Sequence, residues 1–207
     1  INDSHVKTAG AIAEVVGESL WGSLPVVETL EPHNTDTAQM LLDVNWRPAL
    51  SVIGAGGLPP VESAGNVLRT HTDLALSLRI PPGVNSQKAM IELTEILERD
   101  PPFGAEVKFE AHPPADGFRA PPLPPNVAEE LERVSNSLTG KPPHTTWVGG
   151  TIPFMAMMQS KYPDSAFLCT GAAGPGNNAH GPDEKLHIPT AKRLTAAIAA
   201  VSWSVGN

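Results

Sequence analysis

The sequence predicts an α+β unit followed by part of an α/β layer, and three observations lead there. Thr72 to Ile80 alternates large aliphatics (Leu74, Leu76, Leu78, Ile80) with Asp73, Ala75, Ser77 and Arg79, the period of two that marks a strand with one apolar face. A helical stripe and a second alternating stretch follow it. Then residues 112–125 hold six prolines, a stiff extended linker that reads as a domain boundary. Beyond the linker come helix, helix, strand, loop and helix, too few strands for a sheet of their own.

Residues 1–45 are weakly patterned, with short helices expected over Ala9–Val16 and Thr37–Val44. Ala49–Ile53 reads as a short strand closed by Gly54, Gly56, Gly57 and Pro59-Pro60. Pro81-Pro82-Gly83 ends the main strand. Ser86–Arg99 carries Ala89, Met90, Leu93, Ile96 and Leu97 at helical spacing, with Asn85 as N-cap and Asp100-Pro101-Pro102 as the stop. Glu106–Ala111 alternates again through Val107, Phe109 and Ala111. After the linker, Asn126-x-x-Glu129 predicts a capping box. Val127, Leu131, Val134 and Leu138 give that helix its stripe, and Gly140 its C-terminal stop. Ile152–Ser160 is a short helix and Ala166–Thr170 a buried strand containing Cys169, read as a core thiol. A long loop spans Gly171–Ile188. Pro189 opens a last helix striped by Leu194, Ile198 and Val201.

Composition narrows the function. The 207 residues include 14 basic and 22 acidic side chains, a net charge of −8. That excludes a nucleic-acid backbone binder, which needs a basic face. Apolar residues at 41% and charged residues at 17% allow a buried core. The 22 prolines and 18 glycines mean short elements joined by shaped loops, where functional groups often sit. One cysteine excludes an internal disulfide and a Cys-rich metal site. No apolar run is long enough to span a membrane and no signal peptide is visible, so the expectation is a cytoplasmic protein without a membrane partner.

Three places stand out chemically. Arg79, on the strand face opposite the leucines, is either solvated or aimed at an anion such as a carboxylate. Gly149-Gly150-Thr151 directly precedes a helix. Thr151 is either a plain N-cap, or the glycines let backbone N–H groups and the helix dipole reach a ligand. His180 sits in Gly174-Pro-Gly-Asn-Asn-Ala-His-Gly-Pro-Asp-Glu184, a loop after a strand, where open α/β sheets bind ligands. It is either inert or a zinc ligand whose partners lie elsewhere, because zinc takes three or four protein ligands. His71-Thr72-Asp73 has metal-site spacing but opens the main strand and reads as structural. Glu129-Glu130 looks like a catalytic pair, but Glu129 is assigned to the capping box and Glu130 to solvent.

Trp46-Arg-Pro-Ala-Leu-Ser-Val, Asn66-Val, Leu76-Ser-Leu-Arg79, Gly149-Gly-Thr-Ile-Pro153 and Asn178-Ala-His-Gly-Pro-Asp-Glu184 occur in that order. Together they resemble the second half of an M20 metallopeptidase of the carnosinase-like dipeptidase branch, over about residues 45–205. The resemblance implies an α+β lid (an antiparallel sheet with helices) over 1–122, incomplete at its N-terminus. Residues 123–207 then match the C-terminal part of an α/β catalytic domain that carries two zinc ions in the whole enzyme. It implies His180 as a zinc ligand, Arg79 as the grip on the substrate's terminal carboxylate, Asn66 as the group polarising the scissile carbonyl, and Gly150 and Thr151 as binders of the substrate end. It also implies a homodimer formed through the lid.

The family's other metal ligands, its catalytic glutamate and its oxyanion-binding histidine match nothing here, so no catalytic residue is expected in this chain. With Ile1 as first residue, the expectation is a fragment, inactive alone, lacking an N-terminal catalytic segment. Val148 stands where a Glu is usual, next to Trp147. The implied substrate is a dipeptide or N-acyl amino acid. The alternatives are an acyl-amino-acid deacylase or desuccinylase of the same family, and a non-catalytic association module.

Overall fold

A computed structural model describes residues 1–22, 26–147 and 152–206. The described residues divide into two compact units. One takes the described residues of 1–42, 120–147 and 161–206, the other those of 43–119 and 152–160. The expected division fell at 122/123. In the structure the chain changes unit at 119/120, residues 1–42 cluster with the C-terminal segments, and residues 152–160 cluster with the second unit.

In the first unit, α1 (Asp3–Val16) is longer than its weak stripe suggested, because its start is capped reciprocally. Asn2 accepts the His5 N–H at 3.1 Å, and the His5 ring accepts the Asn2 N–H at 3.3 Å. Gly17, at φ +52°, closes it. A single turn, α2 (Ser19–Gly22), follows. Then α3 (Thr37–Trp46) begins where Asp36 accepts the Gln39 N–H at 3.1 Å. Ala9, Ile12, Leu41 and Leu42 are buried.

The second unit holds β1 (Ala49–Gly56) and β2 (Asp73–Arg79), paired antiparallel as a two-stranded sheet. The register sets Leu50 against Leu78, Val52 against Leu76 and Ala55 against Leu74. A bulge at Ile53 lets Val52 and Ala55 share the leucine face in spite of an odd spacing. That face is exposed: Leu50 at 57%, Val52 at 60% and Leu74 at 56%. Gly57, at φ +75°, begins the connection between the strands, and a Cβ there would meet the His71 carbonyl at 2.5 Å. Helix α4 (Ser86–Glu98) starts as expected, with Asn85 accepting the Lys88 N–H at 2.8 Å. The linker adds a cap the sequence did not reveal, since Asp116 accepts the Ser86 N–H at 2.8 Å. That bond holds the Asp116 carboxyl below its ordinary pKa. Arg119 lies over the Trp46 ring at 5.8 Å.

Residues 106–111 are not a strand. The Phe109 N–H donates to a Glu98 carboxylate oxygen at 2.7 Å instead of to a neighbouring strand. Alternation survives locally, for Lys108 and Glu110, two apart on one side, pair at 2.5 Å.

The first unit's core comes from α5 (Pro125–Thr139) and α7 (Ile188–Gly206), with α6 (Pro153–Lys161) between them in sequence. Val127, Val134 and Val201 are buried, with Leu123, Leu131, Ala197 and Ala200 packed around them. The contact stripe of α7 runs through Ala197, Ala200 and Val201. Ile198, expected inside, is exposed. The capping box does not form. Pro124 is the N-cap and Pro125 occupies the first turn, where its missing N–H costs nothing, so Asn126 lies inside the helix. Gly140 closes α5 at φ +71°, as expected. Glu130 is not a solvated residue. Its side chain is 14% exposed and takes Arg133 in two bonds, at 2.5 and 2.8 Å, and the Ser204 hydroxyl of α7 at 2.7 Å. Those donors hold its carboxyl down to about 2.

The expected strand Ala166–Thr170 does not form, since a lone extended segment has no ladder to join. Cys169 is accordingly exposed instead of a core thiol. No helix of the described residues is long and apolar enough to cross a membrane.

Candidate functional site

The two strands present Arg79 as the alternation requires. It lies at the end of β2, opposite Ala49, on the face of Asp73, Ala75 and Ser77 and away from Leu74, Leu76 and Leu78. Arg79 is exposed and makes no ion pair among the described residues. Asn66 is exposed in the connection between the strands, just after a 3₁₀ turn at Val61–Ser63. That connection enters β2 at Asp73. Six residue steps at roughly 3.3 Å place Arg79 about 20 Å further along the strand. His71 and Asp73, the pair with metal-site spacing, approach to 3.6 Å with both side chains exposed.

His180 lies in the first unit on a loop of ordered turns. Its φ is +64°, and Asn178 and Asp183 beside it are at +53° and +57°. Its backbone N–H donates to Glu184 Oε2 at 3.3 Å, and the Gly181 N–H donates to the Asn178 carbonyl at 2.9 Å. The Asn178 amide donates to the Pro182 carbonyl. A cavity of about 280 Å³ lies against the loop, lined by Ala172, Asn177, Glu184 and Leu186 among others. The loop therefore presents an exposed imidazole on ordered backbone. The preceding strand that was expected to position it is absent. Sequence reasoning missed Asn177 and Glu184, which bond within this loop. The available signal was an Asn-Asn pair directly after Pro175-Gly176.

Gly150 and Thr151 lie outside the described residues, as does Val148. Trp147, just before them, meets the His5 ring edge-on with centroids 5.9 Å apart.

Zinc chemistry fits His180 as a single donor, since an exposed imidazole is an ordinary zinc ligand. No group of three or more His, Cys, Asp or Glu side chains that could hold a metal ion occurs among the described residues. These residues by themselves offer one donor, not a closed metal site.

The chain is 28% identical over 145 residues to a cysteinylglycine-S-conjugate dipeptidase of Corynebacterium striatum, a match covering 70% of this chain and 32% of the relative. Human carnosine dipeptidase 1 superposes with a TM-score of 0.69 at 19% identity, covering 99% of this chain and 43% of that one. An M20 family metallo-carboxypeptidase from Sulfolobus solfataricus gives 0.66 at 15% identity, covering 99% and 45%. In fold the chain is similar to these M20-type peptidases. The di-peptidase Dug1p of Saccharomyces cerevisiae gives 0.57 at 20% identity, covering 88% and 43%. No family model matches. The chain spans about a third of the curated relative and under half of each solved structure. Its small antiparallel sheet with helices agrees with the α+β expectation.

Proposed function

We propose that this chain is part of a di-zinc metallopeptidase that hydrolyses dipeptides or similar amides bearing a free C-terminal carboxylate. The observation that carries the reading is the match to a dipeptidase over 145 residues, a stretch long enough to span most of the chain. The exposed imidazole of His180 on an ordered loop supports it.

In this reading His180 is one zinc ligand, and its neutral imidazole donates a lone pair to the ion. The other ligands and the general base lie outside this sequence. Zinc, when bound, supplies an activated water. Arg79 grips the substrate carboxylate through two charge-assisted bonds from its planar guanidinium. The Asn66 side-chain amide donates to the scissile carbonyl oxygen, favouring the charge that develops there. Backbone N–H groups at Gly150 and Thr151 hold the substrate end. The exposed leucine face of β1 and β2 supports a second copy docking there, in a homodimer.

Two measurements test the reading. The 207-residue chain alone binds zinc weakly and turns over no dipeptide, while the longer protein carrying it binds zinc tightly and turns dipeptides over; tight stoichiometric zinc or turnover in the short chain refutes the division of ligands. In the longer protein, Arg79→Ala lowers kcat/KM about ten- to a hundredfold for a dipeptide and little for its C-terminal amide, the loss of roughly 1.5–3 kcal/mol from a charge-assisted pair. Arg79→Lys recovers little. Equal losses on acid and amide, with the fold intact, place the carboxylate grip elsewhere.

A further inference from the structure

The His180 loop closes on one residue. The Asn177 side-chain amide donates to the Lys185 carbonyl at 2.7 Å and to the Ala172 carbonyl at 3.4 Å. Its backbone N–H donates to the Gly174 carbonyl at 3.1 Å, and its own carbonyl accepts the Lys185 N–H at 2.8 Å. Four hydrogen bonds thus converge on a half-buried side chain and its backbone. They join the strand of chain entering the loop to the strand leaving it.

Residues 178–184, with His180 among them, form the excursion that these bonds close. Three non-glycine residues within it, Asn178, His180 and Asp183, hold positive φ. Such conformations persist only where the surroundings over-determine them. Residues 178–180 and 182–184 are exposed, so burial contributes little and the polar ties carry the shape. Gly181 fits the same picture. A Cβ there would come within 2.8 Å of the Asn178 amide, which donates to Pro182.

We propose that Asn177 is the positioning residue of the metal site. By tying Ala172 and Lys185 together, it fixes where the His180 imidazole is presented. This rests on the reading of His180 as a zinc ligand given above. A ligand must meet zinc at about 2.0–2.1 Å, so a loop free to wander orders itself on binding and weakens the site by that cost.

The test is made in the longer protein that contains this chain, using zinc titration of the metal-free form together with hydrogen exchange. Asn177→Ala is expected to speed exchange of the Lys185 amide and to weaken zinc affinity by about ten- to a hundredfold, the usual effect of losing a supporting partner of a ligand. Turnover should return at saturating zinc with KM unchanged, which a general loss of fold does not allow. Asn177→Ser, which keeps one donor, should fall between, and it carries the test if the alanine variant does not fold. Faster exchange with zinc affinity within about twofold of the parent, while His180→Ala lowers affinity strongly, overturns the role of Asn177 and leaves the ligand reading standing. Unchanged zinc affinity in His180→Ala refutes the ligand reading, and the proposal with it.

Discussion

The α5–α7 pair and the β1–β2 ribbon are both built from regular, well-patterned sequence, yet they end in opposite states. In the helix pair, Val134 is 3% exposed and Val201 5%, and Ser204 of α7 reaches Glu130 of α5. In the ribbon most of the shared apolar face stays open, with Val52 at 60% exposure and only Leu76 half-buried. A helix satisfies its own backbone and needs one partner along one stripe. A strand needs a neighbour at its edge and a layer over its face. A short piece of chain can supply the first and not the second.

Several substitutions and a change of pH break or sharpen that contrast. The largest effect is expected at the ribbon's turn, not its face. Gly57→Ala adds a Cβ 2.5 Å from the His71 carbonyl at a positive φ, and should cost roughly 3 kcal/mol locally. Loss of exchange protection across β1 and β2, with α5 and α7 unaffected, is the expected readout. Next, Val134→Ala removes buried methyl groups and should cost about 2 kcal/mol by denaturant melting. Val52→Ala and Leu74→Ala, on the open face, should cost under about 0.5 kcal/mol. Equal costs at Val134 and Val52 mean that the ribbon face is covered in solution, and concentration dependence of the Val52 effect then identifies a second copy as the cover.

Asn85→Ala should cost about 1 kcal/mol, because its side chain accepts an N–H at the start of α4. Asp116→Ala, which removes the second acceptor there, should add to it instead of duplicating it, since the two take different N–H groups. The smallest effect is a slope with pH. Glu130 titrates at about 2 in the folded chain, below its ordinary value of 4.5, because Arg133 and Ser204 donate to its ionised form. A depressed folded pKa contributes stability above the unfolded value, and that contribution is lost as pH falls through the folded one. Melting of α5–α7 should therefore weaken between about pH 4.5 and 2. Glu130→Gln or Ser204→Ala should flatten the slope, while the ribbon, which does not contain the group, shows none of it.

Much of the local structure was legible in the sequence because it depends on neighbours in the chain. The period of two in Leu74, Leu76 and Leu78 set the face of β2 and placed Arg79 opposite it. Asn85 and Gly140 began and ended their helices through bonds spanning only a few residues. The order of short motifs, ending in Asn178 to Glu184, pointed to an M20 dipeptidase-like chain before any coordinates. Other features needed the third dimension. Ala166–Thr170 and Glu106–Ala111 have strand-like sequences and form no strand, because a ladder requires a partner that no local pattern encodes. Cys169 is exposed for the same reason. Glu130 looked solvated until α7 brought Ser204 to it, from 74 residues away. Asp116 capped a helix 30 residues earlier in the chain. The closure of the His180 loop by Asn177 depends on Ala172 and Lys185 meeting in space, a meeting that neither propensity nor periodicity carries. Bonds within a turn or two follow from residue order, whereas bonds that close a loop or cover a face exist only once the chain has folded back on itself.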